Sequence, residues 1–134
     1  MALSADRNTP LKGGDLRQFD VAADTKIYAG ALVCLNAAGA AVPGAVATTL
    51  TAVGRAEAPA DNTGGAAGDK RVDVRKGIFR FNNSAAADEI GAEDIGATAY
   101  VVDDETVALT NGTNTRSAAG TIYDVDAQGV WIEF

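Results

Sequence analysis

The sequence contains no histidine and only one cysteine, Cys34, among its 134 residues. The commonest general base and transition-metal ligand is therefore missing, and a lone cysteine forms no internal disulfide. Because Cys34 lies in the apolar run 31–35, we predict that it is a buried small hydrophobic residue rather than a nucleophile. Zinc chemistry and Ser-His-Asp catalysis are thus excluded.

Aromatic residues are also scarce, at 6% of the chain, although 47% of the residues are hydrophobic. The interior must therefore be built mainly from Val, Ile and Leu. A chain of 134 residues suits one domain, and we expect it to have a single, thin core. Fifteen glycines between short apolar runs supply many tight turns and argue against long helices.

Positive charge is limited as well: the formal net charge is −7. The largest basic group in the sequence is Lys70, Arg71, Arg75, Lys76 and Arg80. Such a chain would repel nucleic-acid phosphates and anionic lipid, so we expect no nucleic-acid partner and no membrane partner. No apolar run approaches the ~18 residues of a membrane span or forms a signal-peptide core, which predicts a soluble protein made in a cytoplasm-like compartment.

Acidic residues cluster twice, within residues 88–94 and at residues 103–105. Neither cluster has the Asp-x-Asp-x-Asp-Gly spacing of a calcium loop, and glycosidases usually add aromatic platforms that this chain lacks. The glycines within residues 64–68 precede no helix signal, which argues against a phosphate loop. We therefore favour solvated turns over a weak cation site or a paired-carboxylate enzyme, and we expect no catalytic residue, no metal and no cofactor.

The strongest β pattern lies in residues 70–81. Val72 and Val74 share one face, and after Gly77 the alternation resumes with Phe79 and Phe81. A two-residue turn at Lys76-Gly77 would absorb the change of parity and place Val74 opposite Phe79. A β-bulge at Gly77 within one long strand would absorb it equally well.

Two hairpins are predicted at opposite ends of the chain. Residues 31–35 and 40–42 flank the turn 36–39, which has the residues of a type I turn followed by a left-handed glycine. Residues 118–125 and 129–134 flank a similar turn. The same turn design is therefore expected in both hairpins.

The remaining signals complete the fold class. Gly54 marks a bulge or a close approach within a strand over residues 50–56, and Ser84 can cap one short helix that runs through Ile90. We therefore predict an all-β fold, a small β-barrel or β-sandwich with one short helix and an extended N-terminal arm.

Two segments are predicted to lie outside the core. Residues 1–15 contain Pro10 and the pair Gly13-Gly14 without apolar periodicity, so we expect an extended arm that precedes a single β-rich domain over residues 16–134. Residues 57–69 contain no large apolar side chain and four turn-forming residues in succession, which predicts a long exposed loop. Loops of this length in compact domains are usually functional or mobile.

Several glycine and β patterns occur together along the chain. They are Gly30-Ala-Leu-Val33, Leu35-Asn-Ala-Ala-Gly39, Val53-Gly-Arg-Ala56, Val72-x-Val74 with Gly77-Ile-Phe79, Gly96 through Tyr100 to Asp103-Asp104, and Val125-Asp-Ala-Gln-Gly-Val-Trp-Ile132. This succession resembles the small capsid decoration, or head cement, proteins of tailed bacteriophages, from about residue 10 to the C-terminus.

The resemblance implies a structural virion protein on the outside of a phage head, made in the host cytoplasm, that clamps neighbouring subunits of the major capsid protein. It also implies a homo-trimer. The family has no signature binding residue, so position and expected exposure alone select the candidate contacts. These are Leu3, Arg7, Pro10 and Leu11 in the arm, and Asp61, Asn62, Gly64 and Gly65 in the loop. The alternative is a β-sandwich module that binds carbohydrate or a host surface.

Overall fold

A computed structural model describes Ala2 and residues 4–134. The strands are β1 (Leu16–Asp20), β2 (Thr25–Ile27), β3 (Leu32–Leu35), β4 (Ala41–Pro43), β5 (Thr51–Ala56), β6 (Ala60–Asn62), β7 (Arg71–Arg75), β8 (Ile78–Phe81), β9 (Thr98–Val101), β10 (Val107–Ala108), β11 (Ala118–Asp126) and β12 (Gly129–Glu133). The helical content of the described residues is two single 3-10 turns, Ala86–Asp88 and Ala92–Asp94. The all-β prediction is confirmed.

The strands form two five-stranded sheets and one two-stranded ribbon. Sheet 1 has the strand order β1-β7-β5-β3-β4, and sheet 2 has the order β10-β9-β11-β12-β8. The ribbon pairs β2 with β6, and every paired strand is antiparallel to its neighbour. The two sheets use different parts of the chain, since sheet 1 is formed before residue 76 and sheet 2 after residue 77.

In each sheet, one isolated β-bridge connects the chain next to the two outermost strands. In sheet 1, Val21 follows β1 and bridges to Ala41 of β4. In sheet 2, Asn82 follows β8 and bridges to Thr106, which directly precedes β10. Both sheets are therefore strongly curled, and their outer strands are open to solvent only over part of their length.

The buried side chains form two clusters rather than one. The first contains Leu32 and Cys34 of β3 together with residues of sheet 2, and the second contains Val33 together with residues of sheet 1 and the ribbon. Because successive side chains of a strand point to opposite faces, β3 contributes to both clusters. The expectation of a single core is wrong. The unbroken apolar run 31–35 is typical of a strand that is buried on both faces, and each fully buried Val, Ile or Leu side chain contributes about 1.5–3 kcal/mol.

The segment 70–81 is neither of the two predicted structures. Its first half is β7, where Val74 pairs with Arg17 of β1, and its second half is β8, where Phe79 pairs with Ile132 of β12. The chain thus crosses from sheet 1 to sheet 2 at Gly77, and Val74 does not pair with Phe79. The valines of β7 are even-numbered, whereas the phenylalanines of β8 are odd-numbered. This change at Gly77 lets the two strands direct these apolar side chains toward different clusters.

The first predicted hairpin is confirmed in detail. β3 pairs with β4, and Gly39 in the connecting turn has a φ of +81°. The side-chain oxygen of Asn36 accepts hydrogen bonds from the N–H groups of Ala38 and Ala40, both at 3.0 Å. An Asn followed three residues later by a left-handed Gly is the chemistry on which the prediction depended.

The closing hairpin forms as predicted, but its turn has a different design. Asp126 of β11 pairs directly with Gly129 of β12, so two residues rather than five connect the strands. Gly129 has a φ of +154°, outside the left-handed helical region of Gly39. Glycine is needed there for space, since a Cβ would overlap the carbonyl oxygen of Phe81 on β8. The prediction of one shared turn design is therefore wrong.

The predicted helix between Ser84 and Ile90 is reduced to the 3-10 turn Ala86–Asp88. The Ser84 hydroxyl donates to the carbonyl of Val107 at 2.8 Å instead of capping a helix. Asn83 closes the segment, because its side-chain oxygen accepts from the Ile90 N–H at 2.9 Å and its amide donates to the Ile90 carbonyl at 2.9 Å. These side-chain bonds compete with helical hydrogen bonds over a segment that is too short to nucleate a helix.

Gly54 lies at the predicted close approach. It has a φ of +144°, and a Cβ at this position would overlap the carbonyl oxygen of Arg75 on β7. The register between β3 and β5 shifts beside it, between Val33 and Cys34. The lack of a side chain at Gly54 therefore allows the backbones of β5 and β7 to approach each other there.

Candidate interaction surfaces

The N-terminal arm extends away from both clusters. Residues 4–15 contain no strand, and each of them is exposed. Leu11 is 95% exposed, and Arg7 and Pro10 also face solvent. Arg7 makes local bonds: its carbonyl accepts from the Thr9 N–H at 3.0 Å, and its guanidinium donates to the Thr9 hydroxyl at 3.4 Å. Leu3, the fourth predicted arm contact, lies outside the described residues.

An ion-pair cluster holds the base of the arm against sheet 1. Arg75 of β7 lies 2.7 Å from a carboxylate oxygen of Asp15 and 3.3 Å from one of Glu57, and Glu57 also pairs with Arg55. The Lys76 N–H donates to the Asp15 carbonyl at 2.8 Å and extends the β1–β7 pairing by one residue. The arm therefore leaves the domain from a fixed point.

The electrostatics of this cluster follow from its hydrogen bonds. The bond from Arg75 lowers the pKa of Asp15 below its ordinary value of 3.8, and the bond from Arg55 is the main cause that lowers the pKa of Glu57 below 4.5. The hydrogen bonds that Arg75 itself donates to Asp15 and Glu57 raise the pKa of Arg75. Because these groups are exposed to water, their attraction fixes geometry more than it adds stability.

The segment 57–69 differs from the predicted exposed loop, because it contains β6, which pairs with β2 to form the ribbon. Asp61 is exposed, but its carboxylate accepts hydrogen bonds from the hydroxyl and N–H of Thr63, which lower its pKa below 3.8. Gly64 is exposed at the tip, with a φ of +74°, and its N–H donates to the Asp24 side chain at 2.8 Å. Both residues are tied to the domain.

Asn62 is the anchor of this loop. Only 2% of the residue is exposed, and its amide group donates to the carbonyls of Ala22 at 3.0 Å and Ala66 at 2.9 Å. Gly65 lies against this amide so closely that a Cβ would overlap the Asn62 side-chain oxygen. Buried polar groups need such partners, so Asn62 stabilises the loop and its side chain is not available to a partner. Of the four predicted loop contacts, Asp61 and Gly64 are exposed.

The structure brings together only the base of the arm and the first residue of the loop, since Arg75 contacts both Asp15 and Glu57. Asp15 precedes β1, whereas Gly68 of the loop donates its N–H to the carbonyl of Val21, just after β1, at 3.0 Å. A strand of five residues such as β1 is about 17 Å long. The two predicted contact surfaces are therefore separated by the length of β1.

A third surface was not predicted from the sequence. It is a shallow groove of about 400 Å³, here called the edge groove, beside β8. Its lining residues are Gly30, Arg55, Ile78, Phe79, Arg80, Phe81 and Trp131. The Arg55 guanidinium lies 4.1 Å from the centre of the Phe79 ring, and the Arg80 guanidinium lies 5.7 Å from the centre of the Trp131 ring.

The pairing of β8 with β12 creates the edge groove. Arg80 and Trp131 are directly opposite each other in this register, although they are 51 positions apart in the sequence. The Trp131 N–H donates to Asp126 at 2.9 Å, which is the main reason that the pKa of Asp126 is below 3.8. The alternation of residues 78–81 predicts the strand β8, which forms one side of the edge groove. No local pattern in the sequence indicates that β12 pairs with this strand.

Two carboxylates of the first acidic cluster bind to other groups of the same chain. Asp88 accepts from the Thr110 hydroxyl at 2.5 Å and pairs with Arg116 at 3.2 Å, and both contacts lower its pKa below 3.8. Asp94 accepts from the Gly91 N–H at 2.8 Å. Within the part of the chain that the structure describes, no three metal-ligating side chains lie close enough together to hold an ion.

Cys34 is fully buried in β3, and burial raises the pKa of its thiol to about 12. The thiol is therefore protonated and shielded at neutral pH, and it does not serve as a nucleophile.

Comparison of the chain with protein-family models, with curated proteins and with solved structures finds no match. No described helix has the length and apolar character needed to cross a membrane.

Proposed function

We propose that the protein is a structural virion protein that binds the outside of a tailed-phage head and clamps neighbouring major capsid subunits. The observation that carries this proposal is the arm. Residues 4–14 extend from a fixed point at Asp15 without contributing to either cluster, and they present Leu11 to solvent at 95% exposure. A segment that is anchored at one end and otherwise unburied is suited to bind another protein.

The arm alone would bind weakly. Burying Leu11 in a partner contributes about 1.5–3 kcal/mol, whereas ordering each residue of the arm costs about 1–2 kcal/mol. Several arms that act together overcome this cost, because attachment of one arm raises the effective concentration of the others. The proposal therefore includes a closed homo-oligomer, a trimer, that presents several arms to one surface.

The surface area of the molecule is consistent with such an assembly. A single chain exposes 7740 Å², whereas a compact monomer of 13.6 kDa is expected to expose about 6,600 Å². Part of the excess belongs to the arm. Tyr28, Ile95 and Tyr123 are further large apolar side chains that are about half exposed or more, and subunit or capsid contacts would cover such groups.

The test is co-sedimentation with phage heads prepared without this protein. A variant that begins at Gly14 should keep its melting temperature within about 3 °C, because it loses no residue of either cluster. It should lose most of its binding to heads. Light scattering on the full chain should at the same time show a trimer.

Two matched substitutions refine this test. Leu11→Asp and Asn8→Asp each add one negative charge to the exposed arm, but only the first removes an apolar side chain. We expect Leu11→Asp to reduce occupancy at least ten-fold and Asn8→Asp to leave it within two-fold. If the variant that begins at Gly14 binds heads at the occupancy of the full chain, the arm is not the clamp. If that variant unfolds, the arm belongs to the fold and the proposal fails.

A further inference from the structure

β8 has one paired edge and one open edge. The Phe134 N–H donates to the Gly77 carbonyl at 2.9 Å, so in an antiparallel register the peptide groups of alternate residues from Phe79 onward also point toward β12. The peptide groups of Ile78 and Arg80 point the other way. Sheet 2 ends at β8 on this side, and these groups form no backbone hydrogen bond with any residue that the structure describes.

The next peptide group that faces away from β12, that of Asn82, is hydrogen-bonded. The Asn82 N–H donates to the Glu105 carbonyl at 2.7 Å, and the Val107 N–H donates to the Asn82 carbonyl at 3.0 Å. The segment before Glu105 turns away from β8, because the Leu32 N–H donates to the Asp104 carbonyl at 2.8 Å. The chain thus covers the end of this row and leaves the two preceding positions open. Open strand edges of this kind pair readily with an added strand.

The edge groove lies along these open positions. Its far wall includes Gly30, where an added Cβ would meet no atom within 4 Å. A second depression of about 400 Å³ adjoins it at Gly30 and includes Tyr28, Asp104 and Glu105. The two depressions share Gly30 as a lining residue. An extended segment laid along the open positions of β8 would advance about 3.3 Å per residue.

The charged residues of the two depressions differ in sign. Arg55 and Arg80 line the edge groove, whereas Asp104 and Glu105 line the second depression. The groups that face the two arginines are few. Arg55 pairs with Glu57, Arg80 donates to the Gln128 side chain at 2.8 Å with Asp126 nearby, and Glu133 is opposite Ile78.

Each guanidinium has five N–H donors, so both arginines keep donors for a ligand. In a chain of net charge −7, the edge groove therefore offers two cationic groups of the kind that pair with a carboxylate.

We propose that the edge groove is a docking site for an extended acidic segment of a partner protein. The segment adds as a strand to the open edge of β8, its peptide groups pair with those of Ile78 and Arg80, and a carboxylate side chain binds the Arg80 guanidinium. Strand addition supplies the main-chain contacts, and the arginine selects the side chain. This inference concerns the groove alone and does not depend on the partner being a phage capsid.

Trp131 provides a direct readout. It is the single tryptophan of the chain, and it lies opposite Arg80 in the register of β8 and β12. The probe is a capped pentapeptide of sequence TVEVT, with TVKVT as the charge-reversed control, titrated into the full-length protein. We expect a saturable change in Trp131 fluorescence with TVEVT and at least ten-fold weaker binding of TVKVT.

Two variants test the two halves of the proposal. Ile78→Pro removes an outward N–H from an edge strand, where proline is tolerated, and it should reduce TVEVT affinity at least ten-fold. The matched control is Gln18→Pro on the outer edge of β1, which should bind TVEVT as the unchanged protein does. Arg80→Gln leaves the backbone unaltered and should abolish the preference for TVEVT over TVKVT, so the proposal stays testable even if Ile78→Pro fails to fold.

Several results would overturn the proposal. Equal binding of the two peptides, unchanged binding by Ile78→Pro, or equal loss in Gln18→Pro would show that no acidic strand is selected at β8. An equal fluorescence change with sodium acetate at the same concentration would indicate a site for free carboxylates. An equal change with maltotriose would indicate a carbohydrate site, and a change that follows protein concentration without any peptide would indicate that a second copy occupies the groove.

Discussion

Residues 1–13 and residues 57–69 are segments of equal length and similar composition, since both combine alanine, glycine, proline and small polar residues with few large apolar side chains. In the structure they behave in opposite ways. The described residues of the first are exposed and contain no strand, whereas the second contains β6 and buries Ala60 and Asn62. The difference comes from backbone pairing and one buried amide rather than from large apolar side chains.

The role of Asn62 explains how a loop without large apolar residues becomes part of the domain. Its amide is satisfied by carbonyls on both sides, one before β2 at Ala22 and one in the loop at Ala66. The arm has no equivalent. Its bonds between Arg7 and Thr9 are local, and they hold the arm in no fixed position relative to the sheets.

The largest expected effect follows from removing this anchor. Asn62→Ala should lower the free energy of unfolding by about 2–4 kcal/mol, because it leaves the buried Ala22 carbonyl without this donor and also removes the hydrogen bond to the Ala66 carbonyl. Asn62→Asp keeps the size of the side chain but places an acceptor against those carbonyls, so we expect at least the same loss. Urea unfolding followed by circular dichroism measures both changes.

The neighbouring residue provides the control. Asp61→Asn keeps an oxygen for Thr63 and changes an exposed side chain, so we expect a change within about 0.5 kcal/mol. If Asn62→Ala is as mild as Asp61→Asn, the loop is as independent of the domain as the arm, and the contrast between the two segments disappears.

A smaller effect is expected at the two glycines of the loop tip. Gly65→Ala should cost about 1–3 kcal/mol, because the added Cβ overlaps the Asn62 side-chain oxygen. Gly64→Ala meets no atom within 4 Å and should cost only about 1 kcal/mol for the left-handed backbone. A double-mutant cycle sharpens the comparison: Gly65→Ala should cost less when Asn62 is already Ala. Equal cost in both backgrounds would show that Gly65 acts independently of the anchor.

The sequence could not distinguish these two segments, and the reason is physical. Asparagine is common both in exposed turns and in buried hydrogen-bonded positions, and only the location of Ala22 and Ala66 in space decides which applies at Asn62. Ala60 is the one buried hydrophobic residue of β6, and its side chain is small. β6 therefore has almost no apolar pattern in the sequence. Where the pattern was strong, as at Asn36 and Gly39, both the strands and the turn were predicted.

The crossing between the sheets shows a second limit. A change of parity at Gly77 is compatible with a turn, a bulge or a change of sheet, and local residues do not distinguish among the three. The edge groove depends on this crossing, because it places Arg80 beside Trp131 and Phe79 beside Arg55. Long-range pairing therefore decided both the fold and the one site that sequence patterns missed.

The smallest expected effect concerns the junction between the arm and the domain. The pKa of Asp15 is lower in the folded protein than the ordinary value of 3.8, mainly because of its hydrogen bond from Arg75. A carboxylate with a lowered pKa contributes stability above the unfolded value and loses it as the pH falls through the folded value. The contact between Asp15 and Arg75 should thus be complete at pH 7, and it should be lost only as the pH falls below 3.8 and through the lower pKa of the folded protein.

We expect the loss to stay local, because Asp15 is exposed and no residue of either cluster depends on it. The measurement is amide hydrogen exchange at Lys76, whose N–H donates to the Asp15 carbonyl at 2.8 Å. Asp15→Asn should reduce the protection of this amide at pH 7 and make it insensitive to acid, with little change in melting temperature. Asp6→Asn changes the same charge within the arm and should leave Lys76 protected. If Asp15→Asn unfolds β1 as a whole, the ion-pair cluster is part of the fold, and the arm begins further toward the N-terminus than Asp15.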